Sequence, residues 1–364
     1  MHPSLFAPVY LYGSCFICLI VSLQYINSPN YSLQEKGNNY IFPLIISIIL
    51  SLWLGNRTHS GYYFGDTSNY ALIYKLMDVN TFTIDWDKEW IWDWMMKYCK
   101  YIKLDATDFF ILIEFGYTLT ALWAIIKFTP NNPLIGMLFV WSSLMFYSYG
   151  INGIRNGLAC HIILLALSFL LESKYIIGTL LCLIAFWTHK TSMLPIAAIV
   201  VGILFKDKAK YAIYVWLFSI PLSLVAGSAA TSFFASLGFD DRMAEYTDAN
   251  ADMSMFSNSG FRWDFLFYSC FPVIMAWYVC VKRQISDNWY NVICIAYCLC
   301  NAFWVLVIRA AYSNRFAYLS WFIYPIVIAY PLINLPIWED QDRKTGLILL
   351  AYSGFTFLMN VVYW

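Results

Sequence analysis

The sequence predicts an all-helical polytopic membrane protein: about twelve (11–13) transmembrane helices in one integral membrane domain over residues 1–364. Three observations predict it. Of 364 residues, 61% are hydrophobic and only 12% charged, more apolar surface than one soluble core can hide, so lipid must act as part of the solvent. Apolar runs recur along the chain at lengths that suit a hydrocarbon core of roughly 30 Å, which takes about 20 helical residues to cross. Lysines and arginines fall in alternate short connections, the bias that orients membrane helices.

The runs place spans at about 8–26, 40–55, 107–127, 133–150, 154–172, 174–188, 190–205, 210–228, 263–281, 288–309, 315–335 and 345–363. The first has no Lys or Arg before it and no small-residue cleavage site after it, so it reads as a span and not as a cleaved signal. The two between Lys174 and Phe205 are short, and a re-entrant pair around His189 is the alternative. Lys36, Lys127, Lys174, Lys206, Lys208, Lys210, Lys282, Arg283, Arg343 and Lys344 share one side, the cytoplasmic one, if both termini are outside. The outer side then holds two long segments, about 55–106 and 229–262, and short turns near Asn152, His189 and Ser313.

The formal net charge is zero and the basic residues are dispersed, which excludes a nucleic-acid partner. Of ten cysteines, Cys160, Cys182, Cys270, Cys294 and Cys298 lie in apolar runs as small hydrophobes, and the spacing Cys294, Cys298, Cys300 resembles a metal site only loosely. Motifs for a P-loop, a dinucleotide fold or a zinc protease are absent from the sequence.

Arginine carries the chemical signal. Of eight arginines, six fall on the expected outer side: Arg57, Arg155, Arg242, Arg262, Arg309 and Arg315. Several stand at the mouths of expected helices, where a planar guanidinium can hold a phosphate or carboxylate by two parallel bonds. One such arginine can be a headgroup anchor, whereas six from five segments point to an anion site.

Within 55–106, Gly65-Asp66-Thr67 predicts a turn with Asp66 as N-cap of an amphipathic helix bearing Tyr70, Ile73, Tyr74 and Met77. Trp86, Trp90, Trp94, Tyr98 and Ile102 form an apolar stripe with Asp87, Asp93, Lys97 and Lys100 among the polar positions, as in a helix lying in the headgroup plane. Aromatic faces also stack on sugar rings. Glu114 and His161 are ionisable groups inside expected spans and so functional suspects. His161 lies six residues from Arg155, about 240° around the helix, and a structural, hydrogen-bonded role is the simpler reading.

Four stretches together resemble the EpsG-like, Wzy-type bacterial polysaccharide polymerases. They are Arg57 with Gly65-Asp66-Thr67-Ser68-Asn69-Tyr70 and the downstream Glu89; Gly153-Ile154-Arg155-Asn156-Gly157-Leu158-Ala159 with His189-Lys190-Thr191-Ser192; Gly260-Phe261-Arg262-Trp263-Asp264-Phe265; and Asn314-Arg315-Phe316-Ala317-Tyr318. The likeness covers about residues 40–335 and departs where the family often has Arg-Gln, since Asn156 follows Arg155.

The resemblance implies a GT-C-like fold and the joining of glycan repeat units carried on undecaprenyl pyrophosphate, at the outer face of the bacterial cytoplasmic membrane. Donor and acceptor would both be lipid-linked oligosaccharides, with a chain-length regulator and a flippase as further partners and no cofactor or metal. Arg57, Arg155, Arg262, Arg309 and Arg315 would stabilise the leaving pyrophosphate. The candidate bases for the attacking hydroxyl are Asp66, Glu89 and His189. Tyr70, Asp264, Arg242, Glu114 and His161 are secondary candidates. Two other functions fit the same arginines: a lipid-linked oligosaccharide flippase or transporter, and a membrane acyltransferase that modifies surface glycans.

Overall fold

The computed structural model describes residues 1–27, 40–79, 84–236, 260–310 and 313–363, and the regular elements among them are helical. They form two compact units, Met1–His189 with Ala329–Trp364, and Lys190–Ile328. The first unit contains α1 (Phe6–Asn27), α2 (Ile41–Gly55), α3 (Gly61–Phe64), α4 (Thr67–Leu76), α5 (Trp90–Tyr101), α6 (Ala106–Phe128), α7 (Pro133–Trp141), α8 (Phe146–Ile151), α9 (Ile154–Leu171) and α10 (Tyr175–Thr188). The second contains α11 (Met193–Leu204), α12 (Ala209–Ser236), α13 (Trp263–Trp277), α14 (Asn288–Leu306), α15 (Ser313–Trp321) and the start of α16 (Tyr324–Asn334). The rest of α16 and α17 (Gln341–Leu358) belong to the first unit.

Among the described residues, eight helical stretches are long and apolar enough to cross a membrane, and Ile41–Gly55, Tyr175–Thr188 and Lys190–Leu204 are shorter apolar helices. This is a multi-pass membrane protein by helix length and composition. The span expected over 133–150 is instead two short helices separated at Ser142–Met145. The carbonyls freed by that break have side-chain donors: Tyr10 OH donates to Trp141 O at 2.5 Å and Thr356 Oγ1 to Ser142 O at 2.6 Å. Backbone that leaves a helix inside an apolar bundle needs such partners. The segment expected at 315–335 is likewise interrupted, between α15 and α16.

In the first unit α2 lies against α6, α6 against α9, α9 against α10, and α1 against α17. A Cβ on Gly55 would stand 2.5 Å from Ile111 Cα, so α2 and α6 approach as closely as they do because residue 55 has no side chain. α9 is interior, 83% of it buried, whereas α1 is 22% buried and turns Phe16, Leu19, Ile20 and Leu23 outward to where lipid would lie.

The second unit closes around one polar network in an apolar core. Asn301 Oδ1 accepts from Trp216 Nε1 at 2.6 Å, and Asn301 Nδ2 donates to Ser320 Oγ at 2.8 Å and Ser269 Oγ at 3.2 Å. Trp321 Nε1 also donates to Ser269 Oγ at 2.8 Å, and Tyr297 OH donates to Ser269 O at 2.9 Å. Four helices, α12, α13, α14 and α15, are thereby tied through one buried amide. Asn301→Ala would leave Trp216 Nε1 without its acceptor, at a cost of about 1–3 kcal/mol. A lower melting temperature in detergent is expected, with a smaller drop for Ser320→Ala, which removes only one of the amide's two acceptors.

Candidate active site

The Gly65-Asp66-Thr67 motif is held by its neighbours on both sides. Gly65 adopts φ 53°, and a Cβ there would lie 2.3 Å from Asn152 Oδ1. That same oxygen accepts from the backbone N–H of Asp66 at 2.7 Å. Asp66 stands at the N-cap position of α4 but makes no capping bond, because its own backbone is already helical (φ −64°, ψ −8°) and a capping side chain needs extended backbone. Thr67 does the holding: its Oγ1 donates to Ile151 O at 2.6 Å and accepts from Arg57 Nε at 3.0 Å.

Arg57 is 1% exposed, and its guanidinium turns inward. Nη1 donates to Glu114 Oε1 at 2.9 Å and to Leu54 O at 2.8 Å, and the guanidinium carbon lies 4.9 Å from the centroid of Phe110. Two side chains nominated separately in the sequence, one as a phosphate ligand and one as an intramembrane acid, are thus a buried ion pair. The pairing had a signal: a carboxylate within an apolar helix requires a cation or a proton.

α4 buries Thr67 and Tyr74, with Tyr70 half-buried against Trp92 at 5.4 Å between ring centroids. Ile73, expected on the packed stripe, is 50% exposed. At the other end of α4, Lys100 Nζ donates to Tyr74 O, Lys75 O and Met77 O at 2.8, 2.8 and 2.6 Å. An ammonium there satisfies open carbonyls and the negative end of the helix dipole together. This clamp fixes α5 on α4. The docked face of α5 is Trp92, Met96 and Cys99, while Trp86, Trp94, Tyr98 and Ile102 of the expected stripe face outward. α5 has two apolar faces, and α4 with Phe109 of α6 takes the one led by Trp92.

Glu89, immediately before α5, is the centre of the site. One carboxylate oxygen, Oε2, accepts from Arg155 Nη1; the other, Oε1, lies 2.5 Å from His189 Nδ1. The three side chains are 16–21% exposed. Arg155 is in the first turn of α9, and His189 is the extended residue (φ −154°, ψ 115°) that ends α10. The antiparallel α9–α10 pair therefore presents both at one end, opposite the end where Lys127 and Lys174 hold Glu172. Arg155 Nε is buried with no hydrogen-bond acceptor among the described residues.

Asp93, one turn into α5, belongs to the same electrostatic group, within reach of Lys97, Arg155 and Glu89. Burial, the largest influence, raises its carboxyl above the ordinary aspartate range against the pull of Lys97 and Arg155. In the sequence Asp93 stands only as a polar position of the Trp-rich stripe, although its spacing of four from Glu89 suits one helix face.

Such a cluster can do proton chemistry. With the carboxylate accepting at Nδ1, the imidazole carries its proton there and leaves Nε2 to receive one, while the guanidinium holds the carboxylate in place.

The remaining candidates lie elsewhere. His161 is buried in α9, with Nδ1 2.8 Å from Tyr117 O and its ring stacked on Tyr117 at 4.1 Å. In the second unit, Arg262 makes a two-pronged pair with Asp264, Nε to Oδ1 at 2.9 Å and Nη2 to Oδ2 at 2.6 Å, and lies 3.7 Å over Phe265. Arg309 is exposed, 5.9 Å from the centroid of Phe261, and Arg315 is half-buried in the first turn of α15. Arg242 lies outside the described residues.

Fold and site define a class: an all-helical, multi-pass membrane protein with a carboxylate–imidazole–guanidinium cluster at one end of its first unit. The chain belongs to the EpsG family, whose model matches residues 40–364, and membership points to polysaccharide polymerisation. No curated protein and no solved structure matches it.

Two consequences are measurable. Arg57→Met strands a buried carboxylate and should cost about 3–5 kcal/mol of stability, much of it recovered when Glu114→Leu removes the partner as well. Thermal unfolding in detergent checks this by comparing single and double variants. For Asp93 the sign follows from its raised folded value: the proton is bound more tightly in the folded protein than in the unfolded chain. Its stabilising contribution is therefore full below the ordinary aspartate range and is lost as pH rises through the raised value. Asp93→Asn should raise the melting temperature more at pH 7 than at pH 4.

Proposed function

We propose that the protein joins glycan repeat units carried on undecaprenyl pyrophosphate by an inverting, metal-independent glycosyl transfer at the outer face of the bacterial cytoplasmic membrane. The observation that carries this reading is the union of Glu89, Arg155 and His189, residues of two separate family-like stretches, on one carboxylate. The alternating lysines support the outward orientation, and a GT-C-like arrangement of about twelve spans is part of the same proposal.

His189 Nε2 takes the proton from a hydroxyl of the acceptor sugar as that oxygen attacks the anomeric carbon of the donor. The new C–O bond forms on the face opposite the departing group, the bond from the anomeric carbon to the phosphate oxygen breaks, and its electron pair leaves on the lipid pyrophosphate. Glu89 holds the imidazole in the tautomer that leaves Nε2 open and stabilises the imidazolium that results. Arg155 anchors Glu89 through Nη1, and its buried Nε, which has no acceptor among the described residues, is assigned as a donor to the substrate anion. Arg262, Arg309 and Arg315 of the second unit are proposed as ligands of the lipid-linked phosphates, where guanidinium does the work of a divalent cation. Arg57, committed to Glu114, is assigned to positioning α4, and Asp66 is set behind His189 as base.

The purified protein, given the lipid-linked repeat unit, should build a ladder of longer glycans on the lipid and do so in excess EDTA. Glu89→Gln and Arg155→Lys should each lower the rate about 10²-fold or more while the protein remains folded. Arg283→Lys, at the other side of the membrane, is the control. Translocation of the lipid-linked unit with no elongation would overturn the assignment.

A further inference from the structure

The stripe of aromatic residues that α5 turns away from its docking face changes character along its length. At its C-terminal end, Trp94 and Tyr98 stack at 5.3 Å among Lys97 and Lys100, the composition of a surface that meets anionic headgroups. At the other end, Trp86 and Trp90 lie 5.0 Å apart between ring centroids in a stretch where Asp85 pairs with Lys88 at 3.1 Å and Glu89 holds Arg155 and His189. Trp90 in turn meets Trp187 at 6.2 Å, and Trp187 stands two residues before His189. Trp86 is 62% exposed although nothing in the docking of α5 requires it, since Trp92, Met96 and Cys99 supply that face.

An indole surface next to the Glu89–His189 cluster suits one kind of ligand. Anionic lipid finds little net positive charge here, since Lys88 is paired with Asp85 and Arg155 with Glu89, and the hydrocarbon edge would have to desolvate those ion pairs. A pyranose ring offers a face of C–H groups for an indole and a rim of hydroxyls that donate to carboxylates. On these grounds we infer that Trp86, Trp90 and Trp187 form a stacking platform for a sugar ring of the acceptor glycan, delivering its hydroxyl to Glu89 and His189. The inference rests on the proposed function for its glycan substrate and for the roles of Glu89 and His189.

The probe is the free oligosaccharide released by mild acid from the cells' own lipid-linked precursor. It should quench tryptophan fluorescence of the protein in nanodiscs saturably. Trp86→Ala should weaken that binding, and raise KM for the lipid-linked acceptor, about tenfold with kcat little changed, as expected for loss of one stacked ring. Trp86→Tyr should recover most of both. Trp86 is exposed and outside regular helix, so its loss spares the fold; Glu89→Gln should still bind the oligosaccharide while losing turnover.

The outcomes separate the two claims. Binding that depends on Trp86 in a protein that never elongates a glycan upholds the platform and overturns the polymerase assignment. Polymerisation with unchanged KM and unchanged oligosaccharide binding in Trp86→Ala overturns the platform alone. So does a Trp86→Ala defect confined to association with anionic vesicles, which would make the residue a membrane anchor.

Discussion

The first unit depends on the buried contact between Arg57 and Glu114. Neither charge touches water, so each is tolerable only because the other is there, and the pair joins the end of α2 to the middle of α6. Arg57 also reaches Thr67, and through Thr67 the pair fixes where α4 begins relative to α8. Lys100 then ties the far end of α4 to α5, and α5 carries Glu89. A charge pair deep in an apolar bundle thereby decides, through two successive clamps, the position of a carboxylate nearer the surface.

At that surface the same economy recurs with a different result. Glu89 meets a guanidinium and an imidazole together, and all three retain some exposure, so the group keeps the access to solvent that the Arg57–Glu114 pair lacks. Burial separates the two roles more than residue type does: both clusters are a glutamate with an arginine. The one with access to solvent and an imidazole is suited to chemistry, and the sealed one is suited to geometry.

The core of the second unit is tied by neutral hydrogen bonds, whereas that of the first holds the Arg57–Glu114 ion pair. Asn301, with partners on α12, α13 and α15, fixes which faces of those helices meet in a core otherwise free of direction, since aromatic and aliphatic surfaces pack in many registers. Helices in lipid gain nothing from hiding apolar surface from water, so specific polar contacts and close approach at small residues carry the selection of one arrangement.

Composition and the spacing of apolar runs were enough to establish an all-helical membrane protein and to place nearly every helix, because a bilayer imposes length and backbone satisfaction on any segment that crosses it. They could not reveal the interruption at Ser142–Met145, whose freed carbonyls are met by hydroxyl donors from Tyr10 and Thr356, 131 and 214 residues away in sequence. The same division holds at the site. Glu89, Arg155 and His189 were each legible as candidates, from motif and from charge in an apolar chain, but so were Arg57, Asp66 and Glu114. Which of these share a carboxylate and which are sealed inside is a matter of side chains meeting across 57 to 100 residues of sequence, and only tertiary packing decides it. Local sequence sets helix and charge because those depend on neighbours along the chain, while the pairing of charges depends on neighbours in space.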